Sequence, residues 1–172
     1  MRILCFGDSN TWGYDPRDFF GGRYDSCWVD LLGSDAINGG VNGRQIPRTA
    51  PPLPTHDLLL VMLGTNDLLQ GASPAEAAAR MAQFLEQLLS SGEKILLIAP
   101  PPMKRGARVP TDELVADSMQ LAVEYRKVAQ RLNIDFVDTS GWDIGLCFDG
   151  VHFTEAGHYT FAEHLKKHLT LT

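Results

Sequence analysis

Apolar runs alternate with amphipathic stretches along the chain, and this alternation predicts its secondary structure. Several apolar runs of strand length are unbroken, which is typical of strands covered on both faces. Strands are predicted at residues 2–6, 36–38, 57–63, 94–99 and 135–138. Helices are predicted at residues 26–32, 111–132 and 154–169, and in a segment that begins with a capping box at Ser73 and ends near Gly92.

The order of these elements predicts an α/β fold. Strands that alternate with helices favour a parallel sheet, and right-handed crossovers place helices on both of its faces. We therefore expect a three-layer α/β/α sandwich with a five-stranded parallel sheet in the flavodoxin-like order 2-1-3-4-5. The 172 residues suit a single domain spanning residues 1–172, since a chain of this size buries roughly 70% of its unfolded surface.

Composition and charge narrow the class of protein. The net charge of −6 makes nucleic acid an unlikely partner, because binding by counterion release needs a basic face. The first strand follows Met1 almost at once, so we expect no signal peptide, and no apolar run reaches transmembrane length. These features predict a cytoplasmic protein without a membrane partner. The three cysteines have no metal-ligand spacing and are odd in number, so neither a metal, a cofactor nor a disulfide framework is expected.

The segment after the first strand has the composition of a nucleophile turn. It reads Gly-Asp-Ser-Asn-Thr-Trp-Gly (residues 7–13) and follows the strand directly. A serine flanked by glycines at the end of a buried strand sits where the backbone turns sharply and its hydroxyl stands above the sheet. Ser9 is therefore the candidate nucleophile.

Other parts of the chain contain the groups that such a serine needs. His152 is a candidate base for the Ser9 proton, and Asp149 is a candidate carboxylate to orient the imidazole and stabilise its cation. The backbone N–H groups of Ser9 and Gly43 and the side-chain amide of Asn66 are candidate donors to an oxyanion. Because all of these residues follow predicted strand ends, they can converge at one edge of the sheet.

Each motif has a structural explanation when it is read alone. Gly-x-Ser and Gly-Thr-Asn-Asp are common turn compositions, and an Asp-x-x-His turn often only precedes a helix. The order and placement of the motifs together favour the catalytic interpretation.

Four blocks of the sequence resemble those of the SGNH hydrolases, also called GDSL-type esterases and lipases. The blocks are residues 7–13, 40–44, 64–67 and 149–158, and they span nearly the whole chain. The first block is most similar to the arylesterase and acyltransferase branch. The resemblance implies Ser9, Asp149 and His152 as the catalytic triad and Gly43 and Asn66 as oxyanion donors.

Two features depart from the family pattern. Asn10 stands where the signature has leucine, a change expected to affect packing or a local hydrogen bond. The glycine block contains Gly39, Gly40 and Gly43. The register with Arg44 favours Gly43 as the oxyanion donor.

The candidate substrate-binding residues are less specific. Trp12 and Met103 are candidates to line an acyl or alcohol pocket, although such residues more often pack in the core or in loops. Arg44 belongs to a group of loop cations predicted at the ligand-binding edge, with residues 48, 104, 105 and 108. Such a rim would attract an anionic substrate, but ordinary solvated loop charge is the commoner explanation.

The sequence therefore predicts a serine ester hydrolase that cleaves short-acyl, small-molecule esters through an acyl-enzyme. Acyl transfer and carbohydrate deacetylation are alternatives that use the same residues. A flavodoxin-like binding module is an alternative of a different class, but it leaves Ser9, Asn66 and His152 unexplained.

Overall fold

A five-stranded parallel sheet forms the centre of the computed structural model, which describes residues 1–170. Its strands are β1 (Ile3–Gly7), β2 (Ala36–Gly40), β3 (Leu58–Met62), β4 (Ile95–Ala99) and β5 (Asp135–Asp138). The order β2-β1-β3-β4-β5 confirms the predicted topology. Gly7 at the end of β1 is level with Gly40 of β2 and Met62 of β3. The loops after these three strands therefore start side by side.

Helices cover both faces of the sheet and complete the predicted three-layer sandwich. They are α1 (Ser9–Trp12), α2 (Trp28–Leu32), α3 (Thr65–Leu69), α4 (Pro74–Ser90), α5 (Asp112–Leu132) and α6 (Glu155–Thr170). α4 packs on α5, and α2 packs on α6. None of the helices within residues 1–170 has the length and apolarity needed to cross a membrane.

The hydrophobic core divides into two clusters, one on each face of the sheet. On β3, Leu59 and Val61 join the cluster with α4 and α5, whereas Leu58, Leu60 and Met62 join the cluster with α2 and α6. All five β3 residues are buried because successive side chains point to opposite, covered faces. This explains why the strand is an unbroken apolar run.

Local signals fix the ends of the longer helices. Ser73 and Glu76 form the predicted capping box, with Pro74 in the first turn of α4. The Thr111 side chain accepts the N–H of Leu114 at the start of α5. That helix ends at Leu132 and is capped by Asn133, whose φ of 53° lies in the left-handed region.

The sequence predicts only turns where the structure has the one-turn helices α1 and α3. α1 follows β1 and α3 follows β3, and each is too short to show a helical period. Gly64, between β3 and α3, has a φ of 123°. A Cβ built on it would lie 2.5 Å from the Tyr125 hydroxyl oxygen, which itself donates to the carbonyl of Leu63. Glycine is therefore required there for both backbone conformation and space.

We expect Gly64→Ala to destabilise the protein much more than Gly92→Ala. Gly92 also has a positive φ, of 85°, but a Cβ there would meet nothing within 4 Å. Gly92→Ala should lower the free energy of unfolding by about 1–2 kcal/mol through backbone strain. Gly64→Ala should lower it by at least about 1–3 kcal/mol more, because the added methyl overpacks against Tyr125. Urea unfolding measures both, and equal losses would contradict the steric account.

Candidate active site

Ser9 lies at the carboxyl edge of the sheet as the first residue of α1. Asp8 caps this helix, and its Oδ1 accepts the N–H of Asn10 at 3.0 Å. The Ser9 side chain is buried, and its Oγ lies 2.9 Å from Nε2 of His152. The strand and the helix cap therefore hold the hydroxyl against the imidazole.

Asp149 determines which nitrogen of His152 carries the proton. Its Oδ2 lies 2.5 Å from Nδ1 of the ring, and its Oδ1 accepts the N–H groups of Val151 and His152, each at 3.0 Å. An ionised carboxylate can only accept, so Nδ1 is the donor and Nε2 is left to accept the Ser9 hydroxyl proton. Ser9, His152 and Asp149 thus form one chain of hydrogen bonds.

Two opposing effects act on the pKa of Asp149. Burial raises it, but hydrogen bonds from the His152 ring and from the N–H groups of Val151 and His152 outweigh this and hold the pKa below its ordinary value. The carboxylate therefore stays ionised and continues to orient the imidazole.

The second histidine of this block, His158, takes no part in the site. It is fully buried, and its Nδ1 accepts the N–H of Trp28 at 3.3 Å. Burial lowers its pKa to about 4, so the ring is neutral and joins α6 to α2.

Gly43 follows β2, and Asn66 lies in α3, which follows β3. Gly43 has a φ of 75°, and Asn66 donates from Nδ2 to the carbonyl of Arg44 at 3.1 Å. An amide carries two hydrogens, so this bond leaves one for another acceptor. The N–H of Ser9, at the start of α1, has no intrahelical acceptor. The glycines of this block differ in their surroundings, since a Cβ on Gly40 would clash with the backbone N of Trp12, whereas one on Gly43 would meet nothing within 4 Å.

Asp67 ties the loop that contains Gly43 to α3. Its side chain is fully buried; Oδ2 accepts the N–H of Ile46 at 3.1 Å and Oδ1 accepts from Arg80 at 3.0 Å. Because Asp67 directly follows Asn66 in α3, its bond to Ile46 holds the glycine loop next to Asn66.

A cavity of about 340 Å³ opens above Ser9 and brings the predicted residues together. Its lining residues are Ser9, Tyr14, Asn42, Gly43, Asn66, Leu69, Arg108, Val151 and His152. The Tyr14 ring lies 4.7 Å from the His152 ring, measured between centroids. Sequence reasoning missed Asn42, Leu69 and Val151, although each is close in sequence to a predicted residue.

The three candidate substrate-binding residues lie elsewhere. Arg44 donates from Nη1 to the carbonyls of Gly7 and Gly39, at 3.0 and 2.5 Å, and its guanidinium stacks on the Phe6 ring. These bonds direct it between β1 and β2 and away from the cavity. Met103 is 2% exposed and packs in the core cluster with α4 and α5.

Trp12 is also not among the residues that line the cavity, although its ring lies 6.5 Å from Tyr14. Of the predicted loop cations, Arg108 does reach the cavity, with Nε 3.9 Å from Oδ2 of Asp149. Lys104 and Arg105 instead face Asp143 and Asp112.

The Asp8 carboxyl lies next to the site and has a raised pKa. It is 3% exposed, and burial raises its pKa to about 6, even though the N–H of Asn10 and the charges of His152 and Arg44 lower it in part. Residues 1–170 contain no cluster of three histidine, cysteine or carboxylate side chains arranged to hold a metal ion.

Comparison with known proteins gives matches in sequence and in structure. The model of the GDSL-like lipase/acylhydrolase family matches residues 5–159. An arylesterase of Vibrio mimicus is 28% identical over 118 residues, or 59% of this chain and 56% of that relative. The chain therefore matches little more than half the length of this curated relative.

Solved structures match over nearly the whole chain. The native aryl esterase of M. smegmatis has a TM-score of 0.81 and 28% identity, with 98% of each chain covered. A carbohydrate acetylesterase family member of Sinorhizobium meliloti has a TM-score of 0.81 and 26% identity, covering 99% of this chain and 98% of that one.

We expect Asp8→Asn to change the pH dependence of stability. With a folded pKa of about 6 and an ordinary value of 3.8, Asp8 binds its proton more tightly in the folded state. Its protonation therefore supports the fold below about pH 4, and this contribution is lost as pH rises through 6. The variant should gain stability over the wild type across this range, by up to about 1.4 kcal/mol per pH unit.

Denaturant unfolding of both proteins from pH 4 to 7 measures this difference. Asparagine keeps the oxygen that accepts the N–H of Asn10, so the helix cap survives. Asp25→Asn makes the same substitution at an exposed aspartate and is the control. Parallel curves for Asp8→Asn and the wild type would contradict the effect of burial on Asp8.

Proposed function

The chain belongs to the GDSL-like lipase/acylhydrolase family, and from this we propose that it is a serine esterase cleaving short-acyl carboxylic esters through an acyl-enzyme. One observation carries the proposal. Ser9, His152 and Asp149 are joined by hydrogen bonds at the wall of a cavity that also exposes Gly43 and Asn66. Relatives in sequence and structure include arylesterases.

The acylation step uses the tautomer that Asp149 selects. Nε2 of His152 takes the Ser9 proton as Oγ attacks the ester carbonyl, and a tetrahedral intermediate forms with its charge on oxygen. The N–H groups of Ser9 and Gly43 and the free amide hydrogen of Asn66 stabilise this oxyanion. The imidazolium then gives its proton to the leaving alcohol, and Ser9 keeps the acyl group.

Deacylation repeats the same steps with water. His152 takes a proton from water, which attacks the acyl-enzyme carbonyl, and the acid leaves as Ser9 regains its proton. Throughout, the Asp149 carboxylate holds the ring and stabilises its cation. Both half-reactions need only these side chains and the oxyanion donors.

Deacetylation of a carbohydrate is a second candidate activity, because the cavity lining is largely polar. Asn42 and Arg108 offer hydrogen-bond donors of the kind that bind hydroxyl groups. A structure from a carbohydrate acetylesterase family is among the neighbours. Parallel assays on p-nitrophenyl acetate and acetylated sugars distinguish a sugar substrate from an aryl one.

We expect Ser9→Ala and His152→Ala each to abolish most esterase activity without unfolding the protein. Nucleophile and base act as a unit, so either loss should lower kcat by at least about 10³-fold. Hydrolysis of p-nitrophenyl acetate by the folded variants measures this. Labelling with a fluorophosphonate should modify Ser9 in the wild type and fail in Ser9→Ala.

Ser91→Ala provides a matched control, since Ser91 is an exposed serine at the end of α4. It should keep both activity and labelling. Wild-type turnover by folded Ser9→Ala would show that another group is the nucleophile. A wild-type protein that is neither labelled nor active on any ester would favour the binding module.

We expect the specificity constant to peak at a short acyl chain. Among the described residues lining the cavity, Leu69 and Val151 are the aliphatic ones, so an acyl chain of more than a few carbons finds little apolar surface. Each methylene adds up to about 0.8 kcal/mol only while such surface lasts. The measurement is kcat/KM for p-nitrophenyl esters from acetate to decanoate.

Leu69→Ala removes apolar surface from the same wall and should lower the gain per methylene, so that the peak moves to a shorter acyl chain. Ser9→Ala supplies the background rate of spontaneous hydrolysis for each ester. A specificity constant that kept rising through decanoate in the wild type would contradict the short-acyl proposal.

A further inference from the structure

Asn10 connects the serine turn to the loop that carries His152. Its side chain is buried and donates from Nδ2 to the carbonyl of Val151 at 3.0 Å. Its Oδ1 accepts the N–H of Phe153, also at 3.0 Å. The two partners flank His152 in sequence, so one amide holds the backbone on both sides of the imidazole.

The backbone of His152 also makes two hydrogen bonds of its own. Its own N–H donates to Oδ1 of Asp149 at 3.0 Å, and its carbonyl accepts the N–H of Cys147 at 2.7 Å. Asn10 binds the carbonyl before His152 and the N–H after it, two groups that Asp149 and Cys147 do not bind.

The nucleophile side of this connection is equally constrained. The N–H of Asn10 donates to the Asp8 cap at 3.0 Å, and its carbonyl accepts Nε1–H of Trp28 at 3.0 Å. Asn10 directly follows Ser9 in α1, so its position is fixed relative to the Ser9 hydroxyl. A displacement of the amide from Val151 and Phe153 would change the Ser9–His152 distance.

Only an amide of this length meets both demands. A leucine of similar volume neither donates nor accepts, and it would leave a buried carbonyl and a buried N–H without partners. An ionised aspartate accepts from Phe153 but cannot donate to Val151. A glutamine is one methylene longer, so its amide would not fit the same positions.

We propose that Asn10 is a positioning residue that sets the distance and angle between Ser9 and His152. It acts through the backbone of Val151 and Phe153 and does not touch the substrate. The inference rests on the proposed function, in which His152 is the base.

The test compares N10L and N10D with the wild type on p-nitrophenyl acetate. Misplacement of a base by a fraction of an ångström to about 1 Å should lower kcat by about 10- to 100-fold. Because Asn10 is not among the residues that line the cavity, we expect KM to stay within about threefold of wild type. N10D keeps the bond to Phe153 and is the variant that remains folded should N10L be too unstable.

Thr139→Val is the matched control. Thr139 is 1% exposed and donates to the carbonyl of Ala99 at 2.8 Å, so the variant also loses a buried bond from side chain to backbone. It should lose stability while keeping the wild-type kcat. A stability loss without a kcat loss in N10L or N10D would reduce Asn10 to the same structural role and overturn the proposal.

A second readout does not depend on ester hydrolysis. The proton between Nδ1 of His152 and Asp149 should give a downfield NMR resonance that shifts or broadens in N10L and N10D but not in Thr139→Val. An unchanged resonance, an effect confined to KM, or failure of both Asn10 variants to fold would each overturn the proposal. A wild-type protein inactive on all esters would refute the proposed function, while the resonance would still show whether Asn10 positions His152.

Discussion

The hydrogen bond between Ser9 and His152 joins residues 143 positions apart, and the rest of the molecule determines whether it can form. Parallel strands make this possible, since every loop after a strand begins at the same edge of the sheet. The level register of β1 with β2 and β3 brings the serine, glycine and asparagine loops together. The loop before α6 reaches the same edge from the far end of the chain.

Side chains bonded to backbone groups hold these loops in place, because a loop beyond the sheet has no neighbouring strand with which to pair. Arg44 binds the carbonyls that end β1 and β2, Asp67 binds Ile46, and Asn10 binds both neighbours of His152. Asp67 and Asn10 are buried here, and the polar atoms of both side chains are satisfied by such bonds. Burial raises the pKa of both Asp8 and Asp149, but the three hydrogen-bond donors to Asp149 outweigh it and keep that carboxylate ionised.

Prediction from the sequence worked best for features that repeat or have local signals. The buried strands are apolar on both faces, and the capping box of α4 lies within four residues, so both were predictable. The one-turn helices α1 and α3 were missed because a single turn has no period and glycines flank it. β1 to β4 differ from their predicted bounds by one or two residues at one or both ends, since fraying ends lack a sharp signal, whereas the bounds of β5 agree.

The sequence by itself determined the order of the elements, the sheet topology and which residues follow strand ends at the ligand edge. Only the tertiary structure decided where the side chains point. The Arg44 guanidinium donates to two backbone carbonyls and so does not line the cavity, and Met103 is buried in the core. The role of Asn10 was equally hidden, since its partners lie 141 and 143 residues away. Spacing along a chain reports which loop holds a residue, whereas side-chain direction depends on contacts with groups far away in sequence.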